Sequence, residues 1–220
     1  MSGGVEALYP FLYAGAEGGA AGPVADVEAS TERKAAEAAA LREALADRFA
    51  GALAACARDL AASFAAGGRL LAFGNGGSAT DARAFAALLA APPSPGRPLP
   101  SLALAQDTAA LTALANDVGY EVVFSRQVAA LGRPGDVAVA FSTSGGSPNV
   151  LRGLDEAGRR GLVTVGFAGY DGGPMAAPGA VRHLFVIPSE SVHRIQEAQT
   201  TLYHVLGELT AAALPCADPR

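Results

Sequence analysis

Serine, threonine and glycine are concentrated between Phe141 and Val150, FSTSGGSPNV, directly after an apolar run and directly before a helical pattern. A helix start presents backbone N–H groups without intrahelical partners, together with the positive end of the helix dipole, so it can hold an anion without a charged side chain. Ser142, Thr143, Ser144 and Ser147 add four hydroxyl donors, and Gly145 and Gly146 let the backbone close around a ligand. The chemistry this points to is capture of a phosphate group. An ordinary strand-to-helix turn, with Ser147 as the helix N-cap, would use the same residue types.

A second turn of the same kind lies upstream. The apolar run RLLAF, residues 69–73, leads into GNGGSATDARAF, Gly74 to Phe85, which again becomes helical. Two such turns on one parallel sheet converge at the carboxyl edge of the strands, where open α/β sheets bind small molecules. Neither turn carries G-x-G-x-x-G or G-x-x-x-x-G-K-[ST], so a dinucleotide or a nucleoside triphosphate is a poor match and a smaller phosphate ester a better one.

The elements that must position these turns alternate along the chain. Strands are predicted at 69–73, 101–105, 136–141, 162–167 and 182–187, with helices at about 77–91, 120–131, 147–160 and 191–213. Apolar strands separated by helices require parallel crossovers, giving an α/β fold: a three-layer α/β/α sandwich around a five-stranded parallel sheet. A long helical region from about Val27 to Ala66, mildly broken near Gly51, precedes the first strand. Residues 1–27 read as a flexible N-terminal arm with an aromatic patch, Tyr9 to Tyr13, and residues 28–214 as a single domain.

The chain has 220 residues, half of them hydrophobic, and a formal charge of −5. It can therefore bury one substantial core, and its lack of a Lys/Arg cluster argues against a nucleic-acid surface. Cys56 and Cys216 are not paired in a C-x-x-C spacing and read as free thiols of a reduced compartment. No apolar run approaches the roughly 18 residues of a membrane span, and no secretory signal pattern stands at the N-terminus. The expectation is a cytoplasmic protein without membrane contact.

GNGGS at 74–78, Asn116-Asp117, STSGGS at 142–147 and RIQE at 194–197 together resemble the sugar isomerase (SIS) domain, a flavodoxin-like fold, of the phosphoheptose isomerase group. The resemblance spans about Arg42 to Leu214. That group interconverts sedoheptulose 7-phosphate and heptose 7-phosphate, and its relatives include a regulator of replication initiation that binds a protein partner. By this resemblance Asn75, Gly76, Gly77 and Ser78 contact a sugar, Asn116 and Asp117 hold its hydroxyls, and Ser142, Thr143, Ser144 and Ser147 bind its phosphate. It also implies a homotetramer, and it matches Gln196 and His204 to zinc-binding residues, the histidine doubling as an acid/base catalyst.

The chain departs from the group's pattern at specific positions. The helix after GNGGS carries, in the isomerases, a metal-binding histidine and a base glutamate four residues later, on one helix face. Here those positions are Ala84 and Leu88, which neither ligate a metal nor accept a proton. The group's substrate-binding arginine falls at Pro92, with Arg97 the nearest stand-in. Gln196 and His204 are eight residues apart, a rise of about 12 Å on one helix, too far for easy sharing of one ion.

Replacement bases are therefore sought elsewhere. Asp81, three residues before Ala84, is the first candidate, against a reading as a helix-dipole carboxylate, and Glu197 is the second, against a structural ion pair. Asp107 and Glu121 are weaker. His193 reads as a cap or sugar contact, His183 as structural, Arg194 as a phosphate, Asp117 or structural partner, and Tyr120 and Tyr203 as core or interface residues. GYDGG, 169–173, reads as a turn with Asp171 as a helix N-cap. Two functions remain open: an isomerase-like enzyme using His204 with Asp81 or Glu197, and a non-catalytic phosphosugar-binding or protein-interaction module.

Overall fold

A computed structural model describes residues 23–93 and 96–215. The aromatic patch at 9–13, most of the expected arm and Cys216 lie outside the described residues. The chain divides into two units, residues 1–40 and 41–220. The first unit is described from Pro23, where helix α1 (Pro23–Ala65) begins; proline is well placed at a first helical position because its missing N–H would be unpaired there anyway. The last five residues assigned to the arm are therefore helical. Gly51 does not break α1: it sits at an exposed position with open space around it, and its propensity penalty of about 1 kcal/mol is outweighed by the burial of Phe49 and Leu53 on the same helix.

In the second unit, Leu45, Phe49, Leu53, Cys56, Leu60 and Phe64 recur at three and four residues along α1 and are all buried. Then follow β1 (Leu70–Gly74), α2 (Gly77–Ala90), β2 (Ser101–Ala103), α3 (Thr108–Asp117), a short 3-10 turn (Tyr120–Val122), α4 (Val123–Leu131) and β3 (Val137–Ser142). The remainder is α5 (Pro148–Arg159), β4 (Val163–Gly169), a second 3-10 turn (Gly173–Ala176), β5 (His183–Ile187) and α6 (Val192–Ala213). Helix α3 was not foreseen from the pattern. None of its residues is fully buried, only Leu111, Leu114 and Ala115 rest partly on the core, and it starts at Asp107, whose carboxylate accepts from the Ala110 N–H at 2.9 Å.

All strand pairs are parallel, in the order β2-β1-β3-β4-β5. Both sheet faces are covered, so β1 and β3 are buried at every position and their side chains alternate between two cores. Val137, Val139 and Phe141 join the core formed with α1, α2 and α6, where Phe141 stacks on Phe167 at 4.8 Å and Phe167 on Phe185 at 5.1 Å. Leu71 and Phe73 join the core with α4 and α5, Phe73 meeting Phe124 at 5.2 Å. At the amino ends, buried Asp136 staples β1 to β3 by accepting from the Arg69 and Arg133 N–H groups, each at 2.9 Å.

The chain leaves β1 towards β2 on one side and later returns to β3 on the other. The carboxyl ends of β1 and β3, paired through Gly74 and Phe141, therefore flank the switch point where a doubly wound sheet opens a crevice. Both glycine turns emerge there.

Candidate functional site

The hydroxyls of the second turn converge. Ser142 ends β3 and is buried, and its Oγ lies 3.2 Å from Ser147 Oγ and 3.4 Å from Ser144 Oγ, while the Gly146 N–H donates to Ser144 Oγ at 3.2 Å. Ser147 occupies the N-cap position of α5, but its side chain makes no capping bond. Its hydroxyl turns to Ser142 instead, which leaves the ordinary-cap explanation without its bond. Gly145 has φ 61°, and a Cβ there would strike Gly172 O, so only glycine fits.

The GYDGG segment buttresses this turn. The Gly169 N–H donates to Thr143 O at 2.8 Å and the Met175 N–H to Gly145 O at 3.0 Å. Asp171 accepts from the Gly173 N–H at 3.0 Å, but the cap residue of the 3-10 turn is Gly172, one residue later than expected, because its φ of 89° suits glycine. The segment holds the cradle's backbone as well as turning the chain.

The two glycine turns are bolted together by a pair the sequence reading missed in half. Asn75 Nδ2 donates to Asn149 Oδ1 and Asn149 Nδ2 donates to Asn75 Oδ1, both at 2.8 Å. Asn149 is buried in the first turn of α5, two residues beyond Ser147; its only sequence signal was its place just inside a predicted helix start. Tyr120 is half exposed, not a core residue, and its hydroxyl donates to Asn75 Oδ1 at 2.9 Å. Gly76 begins α2 with φ 54°, and Ser78 is buried beside it. A Cβ on Gly77 would run into the Gln196 amide, so Gln196 packs directly on this turn.

Asp81 lies behind the same turn at the seam of α2 and α6. The residue is 8% exposed, Oδ1 is 3.5 Å from Thr200 Oγ1, and the buried Oδ2 has no hydrogen-bond partner among the described residues. Burial raises its pKa to about 6, with the Gln196 and Thr200 side chains pulling the other way. It is not in the first turn of α2, so the helix-dipole explanation fails. Tyr203, next along this seam, packs on Phe85 at 5.5 Å, and burial raises its phenol pKa.

The other expected residues are dispersed. Glu197 pairs with Arg194 at 3.0 Å, a structural ion pair on the first turns of α6, and His193 is exposed beside it. Asn116 and Asp117 hydrogen-bond to each other at 2.7 Å on the exposed end of α3. His183 bonds Asp59 at 2.7 Å, as does Arg182 at 2.8 Å. Glu121 faces Arg152 at 3.8 Å.

His204 is exposed on α6 and lines a groove of about 830 Å³ with Leu88, Leu89, Pro92, Arg97 and Leu99. Helix α6 is uninterrupted from Val192 to Ala213, so Gln196, packed on Gly77, and His204, in the groove, remain separated by about 12 Å of rise. Ala84 and Leu88 pack against the apolar core. Among the described residues no three His, Cys, Asp or Glu side chains are grouped to hold a metal ion, and this donor set does not fit zinc.

A family model described as the SIS domain matches residues 35–169. The chain is 52% identical over 155 residues to the phosphoheptose isomerase of Paramagnetospirillum magneticum, covering 70% of this chain and 80% of that one. It is 50% identical over 144 residues to the phosphoheptose isomerase of Aquifex aeolicus, covering 65% and 74%. Among solved structures, phosphoheptose isomerase GmhA from Neisseria gonorrhoeae superposes with a TM-score of 0.78 at 34% identity, covering 84% of this chain and 99% of that one. The phosphoheptose isomerase from Francisella tularensis gives 0.78 at 28% identity, covering 86% and 98%.

Proposed function

Because this chain belongs to the SIS-domain family and, within it, to the phosphoheptose isomerases, we propose that it binds a sugar phosphate of about seven carbons at the crevice between β1 and β3. The observation that carries this reading is the convergence of Ser142, Ser144 and Ser147 hydroxyls within 3.4 Å at the start of α5. The phosphate would sit in that turn, and the sugar would extend across Gly76, Gly77 and Ser78 towards Gln196, with Asn116 and Asp117 at the open side.

Aldose–ketose isomerisation moves a proton between two adjacent carbons and needs a group that accepts it and returns it. With Leu88 and Ala84 inert, Asp81 is the base this reading assigns, because a carboxyl with a pKa of about 6 exchanges protons near neutral pH. His204 would act as acid at the sugar oxygens, and Glu197, tied to Arg194, is the weaker alternative base. Zinc has no part in this scheme, since the donors do not fit it.

The non-catalytic reading is favoured by one specific observation: in the groove that His204 shares with Arg97 and Glu208, the positions matched to the isomerases' base glutamate and substrate arginine are Leu88 and Pro92. Acid–base catalysis is worth roughly 10² to 10⁴ in rate, so an incomplete set would leave binding largely alone. Incubation with sedoheptulose 7-phosphate, with and without zinc, while following product and measuring affinity, separates the two. Turnover supports the enzyme; binding without turnover supports the regulator; neither overturns the sugar-phosphate reading. A homotetramer is part of the proposal and is read from the mass in solution. No helix among the described residues is long and apolar enough to cross a membrane.

A further inference from the structure

The hydrogen-bond directions around Asn75 can be followed from one end. The Val150 N–H donates to Asn149 Oδ1 at 3.0 Å, and a backbone N–H can only donate, so Asn149 Oδ1 is an acceptor. Asn149 Nδ2 must then donate, and its partner is Asn75 Oδ1 at 2.8 Å. Tyr120 Oη, 2.9 Å from the same oxygen, has one proton and spends it there. What remains on Tyr120 is the lone-pair side of a phenol oxygen, on a side chain that is 51% exposed, beside the turn that carries Asn75.

From this geometry we propose that Tyr120 is a sugar-binding residue that accepts a hydrogen bond from a hydroxyl of the bound sugar phosphate. The inference rests on the sugar-phosphate reading above and adds to it a residue of fixed polarity. A phenol whose proton is already committed reads hydroxyl donors and offers nothing to an acceptor such as a phosphate oxygen. Chains of hydrogen bonds polarise one another, so the Val150–Asn149–Asn75 chain also firms the Tyr120 bond on which that polarity depends. The position suits discrimination, because Tyr120 approaches Asn75 on the sugar's turn and not the serines of the cradle.

The test is calorimetric titration of the full chain and of Tyr120→Phe with two ligands, sedoheptulose 7-phosphate and inorganic phosphate. Loss of one neutral hydrogen bond should weaken the sugar phosphate roughly two- to tenfold in Tyr120→Phe and leave inorganic phosphate unchanged. Equal affinities in the two proteins would overturn the proposal. So would an equal weakening of both ligands, which marks a general disturbance of the crevice, or the absence of any further weakening when Tyr120→Phe is made in Asn75→Ala, which marks Tyr120 as a mere brace for Asn75. Failure of the unaltered chain to bind the sugar phosphate would remove the sugar-phosphate reading itself, and this inference with it. Because Tyr120 is half exposed, the variant keeps the fold, and its melting temperature serves as the check.

Discussion

Leu88 on α2 and His204 on α6 line one groove, and Leu88 Cδ2 would stand 3.2 Å from a Cβ placed on Gly207, one turn beyond His204. The fold thus brings together the two positions that the family resemblance assigns to a base glutamate and a metal-binding histidine, but it fills one of them with a hydrocarbon. Two positions of a metal-site frame, 88 and 204, thus share one groove, and the leucine supplies no donor. The double variant Ala84→His/Leu88→Glu should therefore gain zinc, measured as metal content after dialysis, while the unaltered chain retains far less. Equal metal content in the two would show that the frame itself is wrong.

The cradle serines should matter to ligand more than to fold. An N-cap serine ordinarily contributes about 1 kcal/mol, but the Ser147 side chain makes no capping bond. Ser147→Ala should cost less than about 0.5 kcal/mol in urea unfolding while weakening phosphate-ester affinity several-fold, and Ser144→Ala should behave likewise. Gly145→Ala is the opposite case: the new methyl runs into Gly172 O at a φ of 61°, so it should lower both stability and affinity.

Asp81 ties stability to pH. In the unfolded chain its carboxyl ionises near the ordinary 3.8, whereas in the fold ionisation waits until about 6. Below 3.8 both states are protonated and the group is neutral in its effect. Between 3.8 and 6 the unfolded state is increasingly favoured, and above 6 the full penalty stands. Asp81→Asn should therefore raise the melting temperature at pH 7.5, with the gain shrinking as pH falls towards 4. If Asp81 is also the base, the same change abolishes any isomerisation and leaves sugar-phosphate affinity within a few-fold.

Gln199 should be a site of easy stabilisation. It is 0% exposed on α6, and neither its Nε2 nor its Oε1 has a hydrogen-bond partner among the described residues. An unpaired buried polar group costs about 1 to 3 kcal/mol, so Gln199→Met, which keeps the length, should raise the urea midpoint by an amount worth about 1 kcal/mol or more. No change, or a loss, would mean that the amide is satisfied within the fold.

Strand positions, helix spacing and both glycine turns were legible in the chain because hydrophobic periodicity and turn chemistry are local: RLLAF and DVAVAF read as buried strands, and GNGGS and STSGGS as the turns that follow them. The substitutions at Ala84 and Leu88 were equally plain, since an alanine's or a leucine's lack of donors does not depend on where it folds. Other features depended on contacts between residues far apart in sequence. Nothing local marks Asn149 as the partner of Asn75, 74 positions away, or turns the Ser147 hydroxyl from its own helix towards Ser142. Helix α3 escaped notice because it is short and buries no residue fully, and Asp81 acquires its raised pKa only when α6 closes over it and strips away water. Types and spacings specify the elements; which polar groups lose solvent, and which find each other when they do, is settled by packing.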